Sequence, residues 1–271
     1  MEFYNIGISE YKQIINSIRL GYGFDFSYYS PITFRRKIIN LMLFYGINNL
    51  DDLIFQIENK LLENDFFRFF HVPIIELFRG PAFWRKLIDI LQGKHLNQTV
   101  KLCFPGCVIG NEILSFLILI REIKVEKDFR IVVSNPFPME IDTLVLKLEK
   151  RKFELSKINF TRLGLKGSDL NIYFNVDDKE NLMFTHDNRN KIVFEKHDLF
   201  KSHLSEKQDM IFFRNQLLYF TIPNDKIVIE NISQSLKPKG YLFIGEKERI
   251  DNPEKYRLRL IDNEEQIYQR I

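Results

Sequence analysis

Three short segments of the chain combine residues that could do chemistry with residues that let a ligand reach the main chain. The first reads Cys103-Phe104-Pro105-Gly106-Cys107-Val108-Ile109-Gly110-Asn111-Glu112. An apolar strand that ends in glycine and turns into a helix leaves its backbone open to close approach. The first N–H groups of that helix also have no partner within it. Gly106 and Gly110 are present but the full dinucleotide spacing is not, so the turn reads equally as a cofactor loop or as a tight structural turn. The second segment, Ser134-Asn135-Pro136, closes another apolar run. Nucleoside-binding α/β folds carry an acid about 20 residues beyond the glycine turn, where it accepts both ribose hydroxyls. Asn135 offers one neutral acceptor instead, and losing a charge-assisted hydrogen bond costs about 1–3 kcal/mol. In the third, Asp209–Phe213 runs into Arg214-Asn215-Gln216-Leu217-Leu218-Tyr219-Phe220. A cation and an amide just past an apolar strand lie at the edge where open α/β sheets bind ligands. The competing reading is an Arg paired with a neighbouring acid and an Asn capping the turn.

Only a parallel sheet would bring those segment ends together, and the apolar pattern predicts one after residue 100. Strands are expected over Val100–Phe104, Arg130–Ser134, Lys191–Glu195, Asp209–Phe213 and Gly240–Glu246. They alternate with helices over Gly110–Ile123, Pro138–Lys150 and Pro223–Leu236, and Tyr256–Ile271 predicts a closing hairpin around Asp262-Asn263. Leu155–Asn190 reads as a small β insertion with strand pieces Asn171–Val176 and Leu182–Thr185. Asp177-Asp178 and Asp187-Asn188 supply its turns. Its edge could accept a peptide as an added strand or serve as a plain structural hairpin. Ahead of this region the pattern is helical. One helix begins at Ser9 and is stopped by Gly21 and Gly23, and a second runs from Ser30-Pro31 to Tyr45 and Gly46. A third follows Asn49 with Leu50, Leu53, Ile54, Ile57 and Leu61 on one face. A fourth opens at Pro81 and ends at Gly93. The expected division is a helical domain over residues 1–75 and an α/β domain over 76–271, with the β insertion at 155–190.

Composition narrows the partners. With 39 basic and 36 acidic side chains the net charge is +3, no basis for general nucleic-acid binding. The 2 cysteines, Cys103 and Cys107, read as small apolar residues rather than a disulfide framework. No Cys/His/Asp spacing suits a metal, and the 5 histidines read as surface or structural. No apolar run approaches the roughly 18 residues of a membrane span, and Met1-Glu2 opens no signal peptide. A cytoplasmic protein without direct membrane insertion is expected. Phe is abundant at 26 and Gly scarce at 12. With the bulky Val108 and Ile109, that balance suggests apolar bulk at the glycine turn.

Five segments, in their order, resemble the CheR-type chemoreceptor glutamate methyltransferases. They are Glu76-Leu77-Phe78-Arg79, Pro105 to Ser115, Val193-Phe194-Glu195-Lys196-His197-Asp198-Leu199, Asp209 to Phe220, and Leu236 to Gly245. The Arg-Asn-x-x-x-Tyr-Phe stretch is the most specific of them. Tyr22-Gly23-Phe24-Asp25-Phe26 and Arg35-Arg36 also look like that family's N-terminal domain. The resemblance implies a Rossmann-like class I methyltransferase sheet that uses S-adenosylmethionine to methylate glutamates of a chemoreceptor or related signalling protein. It implies catalytic roles for Arg79 and Tyr219. It implies cofactor contacts from Gly106, Gly110, Glu112, Asn135, Asp198 at the adenine, Arg214 and Asn215. The chain departs from the family at Ile75, Val108, Ile109, Asn111 and Asn135, each replacing a polar or acidic contact. These departures imply weakened cofactor binding, and they keep open an inactive relative that works as a receptor- or partner-binding module. A nucleic-acid methyltransferase gains little, because Arg35-Arg36-Lys37 and Lys147–Lys152 are short and read as solvated faces. Arg35-Arg36-Lys37 could alternatively meet an acidic receptor helix.

Overall fold

The computed structural model describes residues 6–70, 76–93, 96–107, 110–136, 150–176, 182–185 and 191–271. The chain divides into two compact units, residues 1–72 with 216–228, and residues 73–215 with 229–271.

The first unit is helical: α1 (Ile8–Tyr22), α2 (Pro31–Tyr45), α3 (Leu50–Glu58) and α4 (Glu63–Phe70). Its ends follow local chemistry. Pro31 opens α2, Gly46 closes it at φ 66, and the Asn49 side chain caps α3 by accepting the Asp52 N–H at 2.8 Å. Two expectations change here. Gly21 lies inside α1 rather than ending it, because a Cβ there would sit 2.7 Å from the Ile57 carbonyl; the glycine lets α1 press against α3. Leu61 lies beyond α3 and is exposed, so it does not share the face of Leu53 and Ile57. Helix α4 was not expected. Its consecutive phenylalanines show no helical period, but Phe66 and Phe70 pack into an aromatic core where Phe26 and Phe70 lie 4.3 Å apart.

The second unit is built on a seven-stranded sheet of order β5-β2-β1-β6-β7-β9-β8. Its strands are β1 (Thr99–Pro105), β2 (Asp128–Asn135), β5 (Ile192–Lys196), β6 (Gln208–Phe212), β7 (Leu236–Phe243), β8 (Leu258–Asp262) and β9 (Ile267–Arg270). Strand β9 pairs antiparallel with both neighbours, while β1, β2, β5, β6 and β7 pair in parallel. The predicted strands and closing hairpin are all present, and the architecture is the Rossmann-like α/β sheet that was expected. Helices α5 (Pro81–Gln92), α6 (Asn111–Glu122), α7 (Lys150–Thr161) and α8 (Ile222–Ser235) complete the described helices, α8 beginning in the first unit and ending in the second. A short antiparallel pair, β3 (Phe174–Val176) with β4 (Leu182–Phe184), forms the insertion's sheet. Leu155–Thr161, read as the insertion's start, belongs to α7. Most of the helix expected over Pro138–Lys150, the turns Asp177-Asp178 and Asp187-Asn188, and Ile75, Val108 and Ile109 lie outside the described residues.

The phenylalanine excess goes into cores. Phe104 on β1 stacks on Phe212 of β6 at 4.4 Å, and Phe83, Phe116 and Phe243 close round them, all buried. These rings fill the space between sheet and helices, so the composition itself does not report bulk in a pocket. Among the described residues no helix is long and apolar enough to cross a membrane.

Candidate functional site

Strand order reverses beside β1: β2 and β5 lie to one side, β6 and β7 to the other. At such a switch point the loops leaving the carboxyl ends of the strands diverge and leave a crevice. The ends here are Pro105 on β1, Asn135 on β2, Phe212 on β6 and Phe243 on β7, aligned by the registers Pro105↔Ser134, Cys103↔Ile211 and Phe212↔Phe243. The edge therefore gathers the first two segments whose chemistry the sequence singled out, and the third as far as Asn215.

After β1, Gly106 (φ 68) and Gly110 (φ 67) both take left-handed backbone, which few side chains tolerate. The Gly106 N–H donates to the Ser134 carbonyl at 2.8 Å, tying the turn to the end of β2. Asn135 is buried and its Nδ2 donates to the Cys107 carbonyl at 3.0 Å. The residue standing where a ribose acid is expected thus helps shape the glycine turn.

Glu112 and Arg214, both expected at the cofactor, are brought together. Arg214 Nη1 lies 2.8 Å from Glu112 Oε1, and the two side chains are only 6% and 7% exposed. Burial pushes the Glu112 carboxyl up, while the Arg214 charge and hydrogen bond pull it back. Arg214 also donates from Nη2 to the Arg79 carbonyl at 3.2 Å and lies 4.0 Å over the Phe83 ring. Gly80 allows this approach, since a Cβ there would come 3.0 Å from Arg214 Nη2. The ion pair binds three elements at once: α6, the turn after β6 and the segment before α5.

That last segment carries Arg79. Its backbone is held by serines that the motif reading did not single out. Ser115 Oγ accepts the Phe78 N–H and Ser156 Oγ accepts the Leu77 N–H, each at 2.9 Å, and Asn159 Nδ2 donates to the Leu77 carbonyl at 3.2 Å. Phe78 sits at φ 53, a conformation that needs such support. Ser115 had one visible signal, since it is the polar residue that interrupts the apolar run Ile113–Ile120. The Arg79 guanidinium remains 42% exposed, with Nε 3.8 Å from Glu76. Asp198 accepts the Phe200 N–H at 3.0 Å and lies 3.6 Å from Lys201, and the neighbouring His197 N–H donates to the Asn135 carbonyl at 2.8 Å. Asn215 follows Arg214 in left-handed backbone at φ 59.

Tyr219 belongs to the first unit with its segment 216–228. There the Ser30 N–H donates to the Tyr219 carbonyl at 2.7 Å and the Thr221 N–H donates to the Tyr28 carbonyl at 3.2 Å. Tyr29 bridges Phe220, and Lys37 Nζ lies 4.9 Å over the Tyr219 ring while donating to the Phe69 carbonyl at 2.9 Å. Lys37 is buried, so it is no solvated basic face, and Arg35 lies 5.3 Å over the Tyr11 ring. Burial, with repulsion from Arg36, pushes the Lys37 amine down to about 8.

Comparison with known proteins points in one direction. Residues 76–266 match the family described as CheR methyltransferase, SAM binding domain. A Pseudomonas putida protein, Cher3, is 22% identical, with 89% of each chain covered. A chemotaxis protein methyltransferase of Listeria innocua is 21% identical over 94% of this chain and 95% of its own. Chemotaxis protein methyltransferase 1 of Pseudomonas aeruginosa reaches 38% identity over 72 residues, 26% of each chain. Among solved structures, the N-methyltransferase NodS of Bradyrhizobium japonicum is 14% identical, covers 71% of this chain and 96% of its own, and has a TM-score of 0.34. That structural likeness is too distant to bear on the site.

Proposed function

The chain belongs to the CheR methyltransferase family, and on that premise we propose that it is a protein-glutamate O-methyltransferase of a chemoreceptor or related signalling protein. The observation that carries this reading is the glycine turn at the sheet's switch point, braced from behind by the buried Glu112–Arg214 pair. The residues present fit S-adenosylmethionine in their main frame: left-handed glycines at Gly106 and Gly110 and the opening of α6 beside them. When bound, the cofactor supplies an electrophilic methyl group on a sulfonium. Gly106, Gly110, Asp198 and Asn215 are the residues that would hold it, with Asn135 at the ribose.

A glutamate side chain is already ionised at pH 7, so the protein needs no general base. Its work is to dehydrate the carboxylate and orient it. Arg79 is proposed to orient the substrate carboxylate, supported by its half-exposed guanidinium on a backbone fixed by Ser115 and Ser156. Tyr219 is proposed to donate a hydrogen bond at the reacting oxygen, as its place in the Arg-Asn-x-x-x-Tyr-Phe stretch of the family implies. Glu112 and Arg214 spend their charges on each other and act as the brace.

A second reading, an inactive relative that binds a partner, is favoured by one observation. Asn135 replaces a carboxylate and turns its amide toward Cys107. Titration with S-adenosylhomocysteine, followed by transfer of labelled methyl to a chemoreceptor fragment, separates the two. The enzyme reading predicts micromolar binding and base-labile carboxyl-methyl label, whereas no binding at millimolar ligand overturns it. Restoring acids with Asn135→Asp and Asn111→Glu is expected to tighten binding, by less than the roughly tenfold worth of a charge-assisted hydrogen bond because the Asn135 donor to Cys107 is lost.

A further inference from the structure

The carboxyl ends of β6 and β7 are joined by a side chain that neither motif nor spacing marks. Glu248 follows β7 in the charged run Glu246-Lys247-Glu248-Arg249. In the structure it is 2% exposed. One carboxylate oxygen, Oε2, accepts the Asn215 N–H at 2.9 Å and the Gly245 N–H at 2.5 Å, and the Glu248 N–H donates to the Gly245 carbonyl at 2.8 Å. A carboxylate is costly to bury unless donors meet its oxygens, so this one is committed to the two strand ends.

The geometry around it is specific. Asn215 holds left-handed backbone at φ 59, a conformation asparagine tolerates better than other side chains and which here leaves its N–H aimed at Glu248. Gly245 faces the same turn. A Cβ there would come within 2.9 Å of Glu248 Oε2 and 3.0 Å of Asn215 Cγ, so glycine leaves the room that both side chains occupy. Arg214, one residue back, is fixed by Glu112, the Arg79 carbonyl and the Phe83 ring. Those contacts hold the turn on the Arg214 side. On the Asn215 side, the amide is held by Glu248.

We propose that Glu248 is a positioning residue of the methyl-transfer site, holding the Arg214–Asn215 turn in its left-handed geometry and so setting where Asn215 meets the cofactor. This rests on the methyltransferase reading above.

The test uses the full chain with Glu248→Ala and Glu248→Gln. Amide exchange at Asn215 and Gly245 is measured against Leu102 and Ile131 in the sheet core, alongside titration with S-adenosylhomocysteine. In Glu248→Ala, Asn215 exchange should rise about tenfold or more while the core amides stay unchanged, and affinity should fall by a similar factor. Glu248→Gln keeps an acceptor oxygen and should restore part of both. Exchange at Asn215 that matches wild type, or rises only in step with Leu102, overturns the proposal. A loosened turn with unchanged affinity overturns its link to the cofactor. Wild-type protein that binds no S-adenosylhomocysteine sinks the methyltransferase reading instead, and the exchange comparison still decides whether Glu248 holds the turn.

Discussion

The Glu112–Arg214 pair shows how a charge at a ligand edge can be structural. Both groups are buried, so neither tolerates losing the other. Arg214→Ala should cost about 3–5 kcal/mol in urea denaturation, because Glu112 is left buried without its partner. Glu112→Gln combined with Arg214→Met should cost less than Arg214→Ala alone, since it removes both charges. Lys37 gives a pH signature of its own. The unfolded chain holds that proton up to the ordinary value of 10.5, whereas the folded chain releases it at about 8. Between those values the unfolded state binds more protons, so stability rises with pH. The stability of wild type relative to Lys37→Met should therefore shift toward wild type, by up to about 3 kcal/mol, between pH 7 and pH 10. Equal pH slopes for the two proteins, followed by denaturation, would contradict the assignment. Neither feature could be read from residue type alone: Arg214 suited ligand binding as well as pairing, and Lys37 stands in a basic triplet that looks solvated.

Elements explain why the segment carrying Arg79 is rigid. It is not a helix or strand, yet its N–H groups at Leu77 and Phe78 end on Ser156 of α7 and Ser115 of α6. Ser115 Oγ in turn donates to the Asn111 carbonyl at 2.7 Å, so the hydroxyl is used twice. Ser115→Ala would strand the Phe78 N–H in the core and should cost about 1–3 kcal/mol by thermal or urea unfolding. If methyl transfer depends on Arg79, the same variant should lose activity beyond what its stability loss explains. Strands and helices were legible in the sequence because their periods are local: the five parallel strands and the closing hairpin lie within a few residues of their expected places, although β7 begins at Leu236 and ends at Phe243. Helix α4 was not legible, since consecutive phenylalanines show no period until a core of other phenylalanines receives them. The helical start of the insertion at Leu155–Thr161 was missed for a similar reason, its polar run giving no face.

For the whole molecule, the telling fact is that segment 216–228 belongs with the helical unit although both its flanks belong to the sheet unit. Ser30 tests what that unit does for Tyr219. Ser30→Pro removes its N–H and sets the ring Cδ against the Tyr219 carbonyl which that N–H met at 2.7 Å, so the variant breaks the clamp, although the φ of −56 itself suits proline. A stability loss of more than about 1 kcal/mol is expected, with a fall in methyl transfer beyond what that loss explains. Activity that tracks stability alone would count against a role for the clamp. The sequence by itself determined the succession of the sheet strands, the glycines of the first turn, and through its motifs the family, because hydrophobic period, turn chemistry and short-range spacing are written within a few residues. Only the tertiary structure decided that Glu112 meets Arg214 across 102 positions, that Glu248 closes on Asn215, and that Lys37 is buried over Tyr219. Those contacts depend on strand register and on which helix covers which surface. A charge shows its partner only once folding has excluded water around it.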